Sequence, residues 1–404
     1  MLIGIVLLLL IFLSLFLQYV KRTDLSPIRI GILHSLSGTM AGSEKPLVDT
    51  LLMGVDEINA SGGLLGRQVE AIVVDGRSDW GHFASEAERL IRDEKVAVIF
   101  GCWTSACRKA VKPVVEKYNH LLFYPVQYEG LEQSANIIYT GAAPNQQIIL
   151  GVSWSLKEFG RRIYLLGSDY VFPRTANFII RDIVKAKKAT IVAERYIPLD
   201  STDFNEIIAE IKELQPDVIF NTINGDSNQH FFAKKYQADL DEIPVISFSI
   251  GEAELASIAE ARIKTHYAVW NYFQSIDNPV NYGFISKIKQ RLGAQQVVGD
   301  PMEASYIGLR LWFQAVTLAE SIDPALIHNA INEQTFNAPQ GIVSIDSVNH
   351  HLRKFVRVGQ ARSDGQFDIV WQSEYAIRPV PFPTYRSRRQ WQEIIEEIAK
   401  SGNN

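Results

Sequence analysis

Ile28-Arg29-Ile30-Gly31-Ile32-Leu33 is a short apolar run rich in β-branched residues, followed by a polar turn from His34 to Gly42. Such a run suits a buried strand. A helical pattern follows, with Leu47, Leu51, Val55 and Ile58 on one face and Gly62-Gly63 to end it. The alternation then repeats. Val69–Val74 reads as strand two, His82–Glu94 as an amphipathic helix and Val96–Phe100 as strand three. Ser105–Tyr118 reads as a helix and Leu121–Phe123 as strand four. Strands alternating with helices imply a parallel sheet covered on both faces.

A second series begins near Asn145. Its strands are expected at Ile163–Leu166, Thr190–Ala193, Val218–Phe220 and Val245–Phe248. Its helices are expected near Pro173–Lys185, Asp203–Leu214, Ser227–Tyr236 and Glu252–Glu260. Tail helices follow at Pro279–Leu292 and Met302–Ser321. Short strands then come near Ile342–Ile345, Arg353–Val358 and Phe367–Val370. Lone helices after two sheets must dock back onto one of them, so the chain crosses between lobes several times. The expected fold is α/β, two doubly wound parallel-sheet lobes joined by a multi-crossing hinge. Residues 28–144 with 276–342 form lobe 1, 145–272 with 343–383 form lobe 2, and 384–404 form a charged, solvated tail.

Composition narrows the function. The chain has 404 residues, 47% apolar and 21% charged, which is ordinary globular usage. Its formal charge is −5 and its basic residues are scattered, which excludes a nucleic-acid face. Cys102 and Cys107 sit five apart, fit no zinc spacing, and read as two reduced, buried thiols. His350-His351 has no carboxylate or cysteine grouping around it, so no metal or cofactor is expected. Gly225-Asp226-Ser227 lacks the surroundings of a nucleophile elbow, and no phosphate-binding glycine loop is present. The chain reads as a non-enzyme. Leu2–Leu17 is apolar apart from Gly4 and Ser14, and Val20 precedes Lys21 and Arg22. Residues 1–22 therefore read as a membrane-directed segment, a signal anchor or a signal peptide. Lys21 and Arg22, taken alone, would hold the following domain on the cytoplasmic side.

Ligands of open parallel sheets bind beyond the carboxyl ends of the strands. The segments there are Gly101-Cys102-Trp103-Thr104-Ser105, Tyr124-Pro125-Val126-Gln127-Tyr128, Gly167 to Phe172, Asn221 to Asp226 and Ser249 to Glu252. They carry aromatics, hydroxyls, amides and a few carboxylates, with no Lys or Arg. That inventory suits a polar, uncharged small molecule stacked on aromatic rings. The plainer readings stay open: Trp103 as core filler, Ser105 and Asp226 as helix caps, Tyr124-Pro125 as a rigid turn.

These stretches, together with Gly31 to Met40, Leu122 to Gly130, Thr140 to Gln147, Tyr272 to Asp277, Asp300 to Ala304 and Asp364 to Trp371, carry a resemblance. From about Ile28 to Tyr385 the chain resembles the urea and short-chain-amide binding proteins of the branched-chain amino-acid class, which have a type I periplasmic-binding fold. By that resemblance Ser105, Tyr124 and Tyr170 match pocket positions of the family, and Glu252 matches the acidic residue that meets the ligand amine in its amino-acid-binding relatives. The chemistry of a small diamide extends the expected site to Trp103, Thr104, Pro125, Gln127, Phe172, Asn224 and Asp226: Glu252, Asp226, and Gln127 or Asn224 accept its N–H groups, Ser105 and the helix N–H groups donate to its carbonyl, and Trp103, Tyr124, Tyr170 and Phe172 sandwich its plane. Trp103 leaves little room for a branched-chain side chain. The resemblance also implies a periplasmic or extracytoplasmic protein, held to the membrane by its N-terminus, that closes on urea or a short amide and passes it to an ABC permease. A receptor that reports the ligand to a regulator or kinase is the alternative.

Overall fold

The computed structural model describes residues 26–256, 258, 263, 265–332 and 334–401. The apolar run Leu2–Val20 lies outside the described residues. Among those described, no helix is long and apolar enough to cross a membrane.

The first series forms strands β1 (Ile28–His34), β2 (Val69–Asp75), β3 (Ile99–Gly101), β4 (Leu122–Tyr124) and β5 (Ile137–Tyr139). Helices α1 (Ala41–Ala60), α2 (Trp80–Arg92) and α3 (Ser105–Lys117) connect them. The second forms β6 (Arg162–Ser168), β7 (Thr190–Ile197), β8 (Val218–Thr222), β9 (Val245–Ser247) and β10 (His266–Trp270). Its helices are α4 (Ile148–Glu158), α5 (Val171–Ala186), α6 (Asn205–Leu214), α7 (Ser227–Gln237) and the single turn α8 (Glu252–Leu255). The parallel parts run β2-β1-β3-β4-β5 and β7-β6-β8-β9-β10, so the two lobes repeat one strand order. In each, the order reverses beside the first strand, which opens a crevice between β1 and β3 and between β6 and β8.

Alternation along β1 explains the layering. Ile28, Ile30 and Ile32 face Leu51, Ile58 and Trp312 on one side of the first sheet, while Leu33 joins Leu90, Val111 and Leu122 on the other. The second sheet is covered the same way, with Ile163 and Leu165 facing one cluster and Tyr164 and Leu166 the other. Helices α9 (Pro279–Leu292), α10 (Asp300–Ala319) and α11 (Pro324–Ala330) return to the first lobe.

The two doubly wound lobes are as expected, and antiparallel strands widen both sheets: β11 (Thr335–Ala338), β12 (Gly341–Asp346) and β13 (His351–Arg353) add antiparallel pairs to the first, and β14 (Arg357–Ala361) and β15 (Phe367–Gln372) to the second. Three finer expectations are corrected. Residues 343–353 thus join the first sheet, against the lobe 2 range expected from 343 onward. The expected single strand Arg353–Val358 is two strands in two lobes, with the crossing between them. Residues 384–401 are no solvated tail. Helix α12 (Arg388–Ser401) lays Trp391, Ile394, Ile395 and Ile398 along one face at helical spacing, and these join the second lobe's core with α5. Arg386 grips Asp182 of α5 with two bonds of 2.6 and 2.7 Å.

The chain crosses between sheets between Tyr139 and Ile148, between Trp270 and Pro279, and between Arg353 and Arg357. Buried side chains knit these crossings together. Asp300 Oδ2 accepts the Asn271 and Tyr272 N–H groups at 3.0 and 2.8 Å. Lys354 Nζ donates to the Thr140 carbonyl at 2.8 Å, and Asn271 Nδ2 to the carbonyls of Gln146 and Phe355 at 3.1 and 2.7 Å.

Candidate functional site

Strand β3 ends at Gly101, where any Cβ would stand 2.2 Å from the Leu33 carbonyl oxygen, so only glycine lets β1 and β3 approach at the crevice. Cys102 follows in the left-handed region, with φ 66°. That conformation folds the chain back over the first turn of α3. The Cα atoms of Cys102 and Cys107 come to 5.6 Å and the two residues are joined as a disulfide. This corrects the reading of two reduced thiols. The ring they close holds Trp103, Thr104 and Ser105. Thr104 caps the helix, its Oγ1 accepting the Cys107 N–H at 3.1 Å. Trp103 is 5% exposed and sits in the first lobe's core cluster.

Ser105 opens α3 against charges that the strand-end loops do not contain. Its hydroxyl donates to Glu129 Oε2 and accepts from Arg108 Nη1 at 3.1 Å. Arg108 is fully buried. It also binds Glu129 Oε1 at 3.2 Å and Glu132 Oε1 at 2.8 Å, and its guanidinium lies 4.8 and 4.4 Å from the ring centres of Tyr124 and Tyr128. Burial works against ionisation of Glu132, but the neighbouring Arg108 and Lys109 bring its carboxyl down to about 2. Arg108 and Glu129 are the residues that strand-end reasoning missed. Arg108 stands three positions after Ser105, one turn into the helix, and the i, i+3 spacing was the signal that could have found it.

Tyr124 donates its hydroxyl to the Trp103 carbonyl at 2.6 Å. Pro125 lines a tight internal void with His34, Phe123 and Thr140. Gln127 reaches the other lobe: its Nε2 donates to the Phe248 carbonyl at 2.9 Å, while its buried Oε1 has no partner among the described residues. The neighbouring Ser249 hydroxyl is likewise buried and unpartnered.

From the second lobe, Tyr170 precedes α5, and α5 contacts α3 across the cleft. Burial raises the Tyr170 hydroxyl well above its usual range, with Tyr124 and Glu129 adding to the rise and Arg108 opposing it. Phe172 belongs to the second lobe's core, its ring 6.4 Å from that of Tyr170. Asn224 is tied locally, its N–H to Ser168 Oγ at 3.1 Å and its Nδ2 to the Thr222 carbonyl at 3.3 Å. Asp226 is exposed and makes no cap bond to α7. It lines a cavity of about 210 Å³ at the cleft mouth, between Gly38, Thr39 and Ser43 of the first lobe and Ala253 and Glu254 of the second. Ser43 Oγ donates across this mouth to Glu254 Oε1 at 2.9 Å.

Glu252 sits elsewhere. Its Oε1 accepts the Gln274 N–H at 2.7 Å on the second hinge crossing, with Gly299 beside its Oε2. Burial raises its carboxyl to about 8, opposed by the Gln274 N–H and reinforced by Asp300. It is mostly protonated at neutral pH and packs against the hinge.

The structure therefore gathers Trp103, Thr104, Ser105, Tyr124, Gln127 and Tyr170 around the meeting of the two lobes. It leaves Glu252 at the hinge and Asp226 at the mouth. Among the described residues no group of three metal-ligating side chains could hold a metal.

A limonene hydroxylase of Geobacillus stearothermophilus is 37% identical over 141 residues, but the match takes in 33% of this chain and 26% of that protein. The Leu/Ile/Val-binding protein homolog 8 of Brucella abortus (strain 2308) is 22% identical over 397 residues, 89% of this chain and 94% of that protein. A solute binding protein of an ABC transporter from Rhodopseudomonas palustris BisB5, solved with 3,4-dihydroxybenzoic acid, superposes with a TM-score of 0.79 at 20% identity. That superposition covers 88% of this chain and 99% of the other. Residues 28–388 match the periplasmic binding protein domain model. The chain belongs to the periplasmic binding protein domain family.

Proposed function

We propose that the protein is an extracytoplasmic solute-binding protein that closes its lobes on a small uncharged polar solute, urea or a short amide, and delivers it to an ABC permease. One observation carries the choice of ligand. Three side-chain donors at the site are already committed, the Ser105 hydroxyl to Glu129, the Tyr124 hydroxyl to the Trp103 carbonyl and the Gln127 amide to the Phe248 carbonyl. These groups are left with oxygen acceptors, and an –NH₂ group supplies the matching donors. Tyr170, whose hydroxyl has no hydrogen bond among the described residues, and the unpartnered Ser249 are free to donate to a carbonyl.

Charge argues against the solutes of the relatives. An unmatched cation would favour a benzoate, yet Arg108 is met by two carboxylates. An amino acid needs an ionised acceptor for its ammonium group. Glu252, the residue that the resemblance assigns to that role, has its carboxyl raised to about 8 by burial, which disfavours an ionised acceptor there. Glu129, beside Ser105, is already matched by Arg108. The name of the Rhodopseudomonas palustris protein supports the permease as partner, and the apolar Leu2–Val20 run supports tethering at a membrane.

A ligand that binds only the folded state raises the melting temperature by mass action. Urea (kept well below denaturing concentration), formamide and acetamide are expected to raise it. Leucine and 3,4-dihydroxybenzoate are expected to leave it unchanged. A shift with either of the last two and none with the amides overturns the reading.

A further inference from the structure

We infer that Glu129 and Arg108 set the polarity of the site by fixing the Ser105 proton, so that this hydroxyl receives a ligand N–H and does not donate to a carbonyl. The inference rests on the amide reading above and names the groups that decide it. It reverses the donor role expected of Ser105 from the chemistry of a diamide.

The chemistry leaves Ser105 no choice. An ionised carboxylate only accepts and a guanidinium only donates. Ser105 Oγ stands between one of each: its proton goes to Glu129 Oε2, and one lone pair takes the Arg108 Nη1 proton at 3.1 Å. One lone pair is left. Neither partner can reorient. Glu129 Oε1 is held by Arg108 Nη2 at 3.2 Å and lies 3.6 Å from Lys109 Nζ. Arg108 is 0% exposed, lies over two tyrosine rings and is pinned by Glu132. Every member of this cluster belongs to the first lobe, so the acceptor is formed before any solute or second lobe arrives. A purely helical role for Ser105 is already filled, because Thr104 supplies the cap.

Glu129→Gln is the informative change. Both oxygens of Glu129 accept in the native cluster, and a glutamine has only one. The Arg108 charge claims that oxygen, which turns the amide NH₂ toward Ser105. Ser105 then accepts from the amide, and its proton is released toward the cleft. Acetamide and acetone, nearly isosteric, report the difference, since acetone has a carbonyl and no N–H. Titration calorimetry on the full chain and on Ser105→Ala, Glu129→Gln and the double variant forms a cycle. The expected result is that each single change weakens acetamide by about tenfold or more, while acetone stays within about twofold in Ser105→Ala and holds or tightens in Glu129→Gln, and the double variant loses no more acetamide affinity than the worse single one. A merely structural role for Glu129 would weaken both ligands alike, and that outcome overturns the inference. Should Glu129→Gln not fold, Ser105→Ala alone decides, and an unchanged acetamide-to-acetone ratio in it also overturns the inference. If the native protein binds no acetamide at all, the amide reading itself falls. Native binding with an unchanged ratio in Ser105→Ala removes the inference alone.

Discussion

Glu252 shows how much a residue's surroundings add to its type. Sequence reasoning places a carboxylate at a strand end and reads it as a ligand acceptor. The structure buries it at the hinge beside Asp300, with Glu303 and the cations Lys354 and Arg357 in the same network, and burial lifts Glu252 to about 8 and Glu303 to about 7. A carboxyl raised in the folded state holds a proton that the unfolded chain has already lost. Its stabilising contribution is therefore complete below the ordinary value of 4.5, and it drains away as pH climbs through about 8. The melting temperature is expected to fall between pH 6 and pH 9, and Glu252→Gln, which keeps the shape and cannot ionise, to flatten part of that fall. Thermal melts of both proteins across that range check it, and parallel curves would remove Glu252 from the effect. Trp103 teaches the converse lesson: the plainer reading of core filler fits its place in the first lobe's cluster, directly beside the groups proposed to bind.

Elements were legible where local chemistry marks both ends. Pro279–Leu292 is read correctly from sequence because Asn278 caps it, Pro279 fixes its first turn and Gly293 stops it. Strands β5 and β10 escaped, the first with three residues and the second buried throughout its C-terminal half, so neither shows an alternating period. The break within Arg353–Val358 is invisible to propensity, since it is made by Lys354 reaching the Thr140 carbonyl on another crossing. Helix α12 has a readable apolar stripe, but the charges of Arg386 to Arg389 masked it. The Cys102–Cys107 ring belongs at this scale as well, because what closes it is the left-handed turn between β3 and α3. The native protein is expected to take up no iodoacetamide when unfolded without reductant, and two equivalents after reduction. Cys107→Ser should lower stability by about 2 kcal/mol, the chain-entropy value for so short a ring. Alkylation without reductant would contradict the bond.

At the scale of the whole molecule, the repeated strand order and the return of late helices to the first lobe follow from patterning, and the two-lobed fold was legible on that basis. The site was legible only in part. Strand ends locate Ser105, Tyr124 and Tyr170, but the polarity of the cleft depends on Arg108 and Glu129, whose meeting is a product of tertiary folding. The lobes also touch through polar contacts that can break singly, such as Ser43 with Glu254 and Gln127 with Phe248. That suits a hinge closing on a bound solute.

The central claim is that the cleft presents acceptors fixed in advance and so selects N–H donors. Titration calorimetry of the native protein with acetamide and with N,N-dimethylacetamide isolates that property, since the second keeps the carbonyl and plane but has no N–H. The account predicts saturable one-to-one binding of acetamide and at least about tenfold weaker binding of the dimethyl analogue, whose added methyls also burden the fit. Acetone, free of that burden, must be rejected to the same degree. Equal affinity for acetamide and acetone would contradict the account.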